Sequence, residues 1–192
     1  MIITIKKKQA LLFFLFSLLP FMAKADILQW LIIPEQSSLS FTATQNDAPV
    51  SGQFKTFKGD IFVDPKNYKA SKIHIVVDIT SLSASYAELV STLLTSDWFD
   101  AKMFPKADFQ ATQFNQINDK TYEAIGTLTI RDKSAPVTLT FTAEESPQNT
   151  ALVQGSTTIK RSAFGVGQGQ WANTNEIKDE VKVDFKLVAK KK

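Results

Sequence analysis

The chain of 192 residues offers little for covalent chemistry. It has one histidine, His74, and no cysteine. A lone imidazole cannot supply a usual metal-ligand set, and without cysteine there is neither a thiolate ligand nor a thiol nucleophile. No G-x-S-x-G nucleophile elbow occurs. Asp97 and Asp100 flank Trp98 and Phe99 and could be imagined as an acid pair, but acids beside rings in a turn more often accept from backbone amides. The run Gly165 to Trp171 (GVGQGQW) has the glycine density of a phosphate loop. It lies between strand-like patterns and opens no helix, so the amides that would cradle a phosphate are missing. Glycines at alternate positions there suit a curved strand or barrel rim, or let a ligand pass close to the backbone. What the composition does supply is rings, with 15 Phe, 3 Trp and 3 Tyr. Most of these rings are expected to be ordinary core.

The elements that must position those rings are mostly strands. Ile73, Ile75, Val77 and Ile79 alternate with polar residues, as do Val181, Val183, Phe185 and Leu187, and this period of two marks half-buried strands. His74 falls on the side opposite Ile73 and Ile75, facing outward. Similar runs occur at 30–34, 37–44, 50–57, 60–63, 107–114, 121–131, 137–143 and 151–160, separated by turns such as Asp47-Ala48-Pro49, Asp64 to Asn67 and Pro147-Gln148-Asn149. About eight strands with short turns predict a closed antiparallel barrel or a sandwich. Gly52, Gly59, Gly126 and Gly155 lie in or at the start of strand patterns, where glycine marks bulges and barrel corners, so a barrel is the better fit.

One stretch breaks the pattern. Tyr86, Leu89, Val90, Leu93 and Leu94 recur at helical spacing, and Ser85 with Glu88 forms a capping-box sequence. Pro105 then forces Phe104 into extended geometry. The prediction is one short amphipathic helix whose apolar stripe lies against the barrel.

Residues 1–25 combine Lys6, Lys7 and Lys8 with an apolar run from Ala10 to Met22 and the small-x-small site Ala23-Lys24-Ala25. This is the pattern of a secretory signal, and the run is shorter than the roughly 20 residues of a membrane-spanning helix. An uncleaved anchor is the alternative. Cleavage after Ala25 leaves residues 26–192 as one domain, with 18 basic against 19 acidic residues, a charge of −1. The basic excess belongs to the signal, which argues against a nucleic-acid surface. The terminal Lys190 to Lys192 read as a frayed tail. A chain of about 167 residues can bury a core without disulfides.

In order along the chain stand Trp30 to Phe41 (WLIIPEQSSLSF), Gly52-Gln53-Phe54, Phe57-Lys58-Gly59 to Asp64-Pro65, Asp97-Trp98-Phe99-Asp100 with Phe104-Pro105, Gly126 to Ile130 (GTLTI), Pro136-Val137, and Lys160 to Gly165 (KRSAFG). This succession resembles the YceI-like family of lipid- and polyisoprenoid-binding proteins. Gln36 stands where many members carry His. Ser91 to Leu94 replace a charged pair and a His in the helix, and Asp132-Lys133 replace a turn glycine.

The resemblance implies a lipocalin-like, extended eight-stranded antiparallel barrel in the periplasm, with the helix packed against one end and a long apolar pocket. Its ligand would be an isoprenoid, quinone or fatty-acyl lipid, bound without catalysis, cofactor, metal or nucleic acid; a homodimer is compatible with it. Alternation nominates Phe41, Phe54, Ile75, Val77, Phe109, Leu128, Ile130, Leu139 and Phe141 as channel residues. The helix adds Leu89 and Leu93, and the motifs add Trp98, Phe99 and Phe164. Arg131 and Arg161 are the candidate partners for an anionic head group. An outer-membrane barrel, or less readily a lipid-modifying enzyme, is the competing class. Strands carrying Lys72, His74 and Asp78, or Lys182, Asp184 and Lys186, on their second face cannot form a lipid-facing band. Sequencing of the exported protein is expected to begin at Asp26; a start at Met1 would show that the signal is retained.

Overall fold

A computed structural model of the chain describes residues 28–64 and 67–192. The expected signal segment and the cleavage point at Asp26 lie outside the described residues, as do Pro65 and Lys66 of an expected turn. The strands are β1 (Leu28–Ile32), β2 (Ser38–Gln45), β3 (Ala48–Phe54), β4 (Phe57–Val63), β5 (Lys72–Asp78) and β6 (Leu82–Ala84), then β7 (Lys106–Gln116), β8 (Thr121–Ile130), β9 (Lys133–Ser146), β10 (Thr150–Lys160) and β11 (Glu180–Lys191). The single α-helix α1 (Ala87–Leu93) lies between β6 and β7.

These eleven segments make eight staves. β1 and β2 both pair with β11 and are separated only by a 3-10 turn at Pro34–Gln36. β3 pairs with β2 and β4 with β1; β5 pairs with β4 and β6 with β3. Each consecutive couple is therefore one bent stave, and β7 to β11 supply the remaining five. Every stave pairs antiparallel with its neighbours in sequence, and β11 closes the ring against the first stave. This is a closed eight-stranded barrel, not a sandwich. Closure gives each stave a neighbour on both sides along most of its length, leaving only short stretches, such as the first half of β9, with a single partner.

Several local expectations change in the structure. Lys190 and Lys191 are not frayed: β11 continues to Lys191, opposite Trp30, and the Lys191 ammonium lies 5.9 Å from the Trp30 ring centroid. The capping box does not form. Tyr86, extended at φ −148°, occupies the N-cap position without a side-chain hydrogen bond, so the helix begins one residue too late for Ser85 to cap it. The glycine run is no strand; it is a loop of two 3-10 turns in which Gly165, Gly167 and Gly169 all have positive φ. The three-residue β6 escaped the sequence pattern because it is too short to show a period.

Pro136 sits inside β9, where a proline would ordinarily break a central ladder. β9 pairs with β10 only from Thr140 to Ser146, so at Pro136 the strand has one neighbour, β8. A strand tolerates proline at such an unpaired edge.

On β7 a bulge lies between Ala111 and Gln113, opposite Gly126 and Ile125 of β8. A β-carbon at Gly126 would collide with the Gln110 carbonyl oxygen and stand 2.9 Å from the Ala111 α-carbon. Backbone cannot retreat as a flexible side chain does. Gly126→Ala is expected to destabilise the barrel by about 1–3 kcal/mol in urea melts; a loss below about 0.5 kcal/mol would show that the bulge absorbs the methyl group.

Candidate ligand cavity

The barrel is hollow. A cavity of about 550 Å³ runs through it, lined by residues from every stave and from α1. Ile73, Ile75 and Val77 point inward yet are only half-buried, because the space before them is cavity and not side chain. Ala111 and Ala124, on the neighbouring staves, are 1% and 0% exposed. Small side chains thus pack against the wall, and larger ones border the open interior.

All fourteen apolar candidates stand in this wall. β2 and β3 contribute Phe41 and Phe54, β5 contributes Ile75 and Val77, and β7 contributes Phe109. β8 brings Leu128 and Ile130, and β9 brings Leu139 and Phe141. Leu89 and Leu93 reach it from α1, Trp98 and Phe99 from the following turn, and Phe164 from the β10–β11 connection. Phe41 and Phe54 lie 5.8 Å apart between centroids, and Phe99 meets Phe54 edge-on at 5.8 Å. This aromatic chain joins the helix end of the barrel to its wall.

Other lining residues went unnominated, and each has a reason. Phe114 follows the β7 bulge, which reverses the alternation, so the even-numbered residue faces inward after Ala107, Phe109 and Ala111. Tyr122 was legible: it lies in step with Ala124, Leu128 and Ile130. Its ring stacks on Phe141 at 5.8 Å and lies 5.4 Å from that of Tyr68. Burial, and then the hydrogen bond and proximity to Tyr68, push the Tyr122 hydroxyl pKa up. Trp171 enters from the glycine loop and lies 5.7 Å from Trp98; no periodicity could have marked it.

The two arginines have other duties. Arg161 is 4% exposed, and all five of its N–H groups donate to backbone carbonyls. Nε donates to Lys178, Nη1 to Val166 and Gly167, and Nη2 to Trp171 and Ile177, at 2.9–3.2 Å. Its guanidinium also lies 5.9 Å from the Trp98 ring centroid. It touches the cavity wall but has no donor left for a ligand. Burial lowers its pKa, and Asp179 offsets part of that. Burial likewise pushes Asp179 up, but the Ser162 amide and hydroxyl, with Arg161 and Lys160, outweigh it and hold the carboxyl below its ordinary value.

Arg131 is not in the wall. Its Nη1 donates to the carbonyls of Ser96, Trp98 and Gly165 at 2.7–2.9 Å, and its Nη2 lies 4.0 Å from Asp100. Both arginines therefore staple loops together: Arg161 is saturated, whereas Arg131 stands outside the wall with its Nε buried and without a partner.

The candidate acids and the histidine do not come together. Asp97 accepts the Gly167 and Gln168 amides through its backbone carbonyl, and Asp100 faces Arg131. His74 faces outward and pairs with Asp108 on the neighbouring strand at 2.5 Å. Among the described residues no three His, Asp or Glu converge as a metal site.

A closed antiparallel barrel around one apolar cavity is the architecture of proteins that enclose a hydrophobic small molecule. The chain belongs to the YceI-like domain family, whose profile matches residues 30–189. Burkholderia cenocepacia BcnA has a similar structure, with 31% identity, 82% of this chain and 98% of that one covered, and a TM-score of 0.78. A polyisoprenoid-binding domain from Saccharophagus degradans has the same fold at 14% identity, covering 86% and 99% of the two chains with a TM-score of 0.70. A UPF0312 protein of Vibrio vulnificus is 34% identical over 90 residues, 47% of this chain; the chain spans about half (48%) of that relative's length.

Removing the Arg161 donors would leave up to five carbonyls unpaired, each costing on the order of 1–3 kcal/mol where water cannot enter. Arg161→Ala is expected to lower stability by about 3 kcal/mol or more. Arg161→Lys, with three donors and no planar fork, should fall between it and the parent. Urea melts test this, and a near-neutral Arg161→Ala would show that the loop is held by other contacts.

Proposed function

We propose that this protein is a non-catalytic carrier that holds the hydrocarbon part of an isoprenoid, quinone or fatty-acyl lipid in its barrel, and that it is exported to the periplasm. The observation that carries this reading is the 550 Å³ cavity itself, whose wall is almost wholly aliphatic and aromatic. Its size falls within the roughly 300–1,000 Å³ typical of small-molecule sites. The printed description of the Saccharophagus degradans relative, a polyisoprenoid-binding domain, agrees with that ligand class.

A membrane-spanning barrel would invert this arrangement, with apolar residues outside and a polar lumen. Here the outward positions Lys58, Asp60, Thr127, Thr138, Thr140 and Lys182 are polar and exposed. The absence of a nucleophile with a neighbouring base in the wall speaks against a lipid-modifying enzyme. A carrier must also compete with the bilayer. Burial of each CH₂ contributes about 0.8 kcal/mol relative to water, but a bilayer supplies nearly the same, so selection rests on the width of the channel and on its polar groups.

Native mass spectrometry of protein purified from its own host, with lipid extraction, tests the reading: a bound long-chain lipid is expected. Protein that carries none and takes up no isoprenoid or acyl chain would overturn it. The helix provides a finer test. Leu93 is 6% exposed, and Leu93→Ala should cost about 2–5 kcal/mol. Leu89 is half-buried at the cavity, so Leu89→Ala should cost less, with the fold kept and lipid occupancy or chain-length distribution changed. Folded Leu89→Ala protein with unaltered lipid would remove the helix from the binding site.

A further inference from the structure

Resting on the carrier reading, we propose that the cavity discriminates by charge: it accepts a lipid with an uncharged oxygen head, such as an alcohol, quinone or ester, and rejects the carboxylate or phosphate counterpart of the same chain. Three independent features of the wall lead there. Its cation, Arg161, has every N–H engaged by a backbone carbonyl and is 4% exposed, so an anion inside would find no free charged donor. No lysine of the described residues lines the cavity. The wall's remaining formal charges are carboxylates, Glu88 on α1 and Glu145 near the end of β9, and both are exposed.

These two glutamates mark opposite ends of the barrel. Glu88 sits in the first turn of α1, whereas Glu145 pairs with Ala151, which in turn pairs with Ala189 beside β1. A charged head therefore meets like charge at the helix end and an apolar wall with no available cation if it is drawn inside; at the other end Glu145 is accompanied by Lys191, whose ammonium lies 5.9 Å from the ring of Trp30 in the wall. Desolvating an unpaired anion is costly, and like charges raise that cost. A neutral oxygen escapes both penalties. Arg131, the other cation near the helix end, is tied to three carbonyls and stands outside the wall.

The test uses the delipidated full chain at pH 8 and low salt, with all-trans-retinol and retinoate as chain-matched probes read by quenching of tryptophan fluorescence. Retinol is expected to bind at least about tenfold more tightly than retinoate. A Glu88→Lys/Glu145→Lys double variant, changed only at exposed positions and checked by thermal melt, is expected to close or reverse that gap. Retinoate binding as tightly as retinol to the parent, or a gap unmoved in the folded double variant, would overturn the charge selection while leaving the carrier reading intact. Failure of both probes to bind would overturn the two together.

Discussion

The end of the barrel that carries the helix rests on one buried guanidinium. The connection from β10 to β11 runs from Arg161 to Asp179 without extended secondary structure, and several of its carbonyls turn inward, away from solvent. Buried backbone carbonyls need donors, and an irregular loop has few of its own to give. Arg161 answers five of them at once with a planar fork that a lysine could not imitate. The cost of burying its charge is offset by the carbonyl dipoles, by Asp179 and by the face of Trp98. Much follows from this one residue. The Gly167 amide, held where Arg161 gathers the loop, bonds the Asp97 carbonyl and so fixes the turn that carries Trp98 and Phe99. The Lys178 amide bonds Thr44, and Asn46 bonds the Glu176 carbonyl, which tie the loop to the β2–β3 hairpin. Gly167 must be glycine twice over: its φ is +78°, and a β-carbon would collide with the Arg161 side chain.

Barrel closure sets the second constraint. Eight staves enclose an interior only just wide enough for side chains, so what the inward positions carry decides whether the barrel is solid or hollow. Here bulk is unevenly shared. Trp30, Ile61, Ala151 and Ala189 form a compact cluster at one end, while the larger cluster about Phe41, Phe109, Trp98 and Phe164 gathers toward the other. Between them Ile75, Leu128, Leu139 and Val153 border open space. α1 is too short, at seven residues, to be stable in isolation; it holds its place because Leu93 is buried in the larger cluster.

Much of this was legible, and the limits have identifiable causes. Period-two alternation located the long strands and, through them, every channel residue nominated on β2, β3, β5, β7, β8 and β9. The family motifs added the aromatic turn and Phe164. The pattern failed where its physical basis fails. A bulge inserts one residue and reverses the inside and outside of β7, which hid Phe114. A loop without period hid Trp171. A three-residue strand is shorter than two periods. The loop-stapling duty of the arginines was hidden for a different reason: a sequence shows that a cation is present but not which carbonyls surround it. Arg161 read as free charge until the loop around it could be seen to close on all five donors. The lysine tail misled in the same way, since Lys191 has an outward-looking composition and a pairing partner, Trp30, that only the ring closure brings beside it.

A hollow interior also bears on stability. It forgoes the dispersion contacts that a packed core would make along the same wall. Water is a poor occupant of a space whose inner surface is almost all hydrocarbon, since each molecule needs two or more polar partners. An apolar chain restores the lost dispersion contacts and needs none. Ligand and fold are therefore linked thermodynamically: whatever fills the channel contributes to stability in proportion to the logarithm of its concentration over its dissociation constant. Rigidity at the helix end comes from a saturated guanidinium, and rigidity of the wall from the closed ladder.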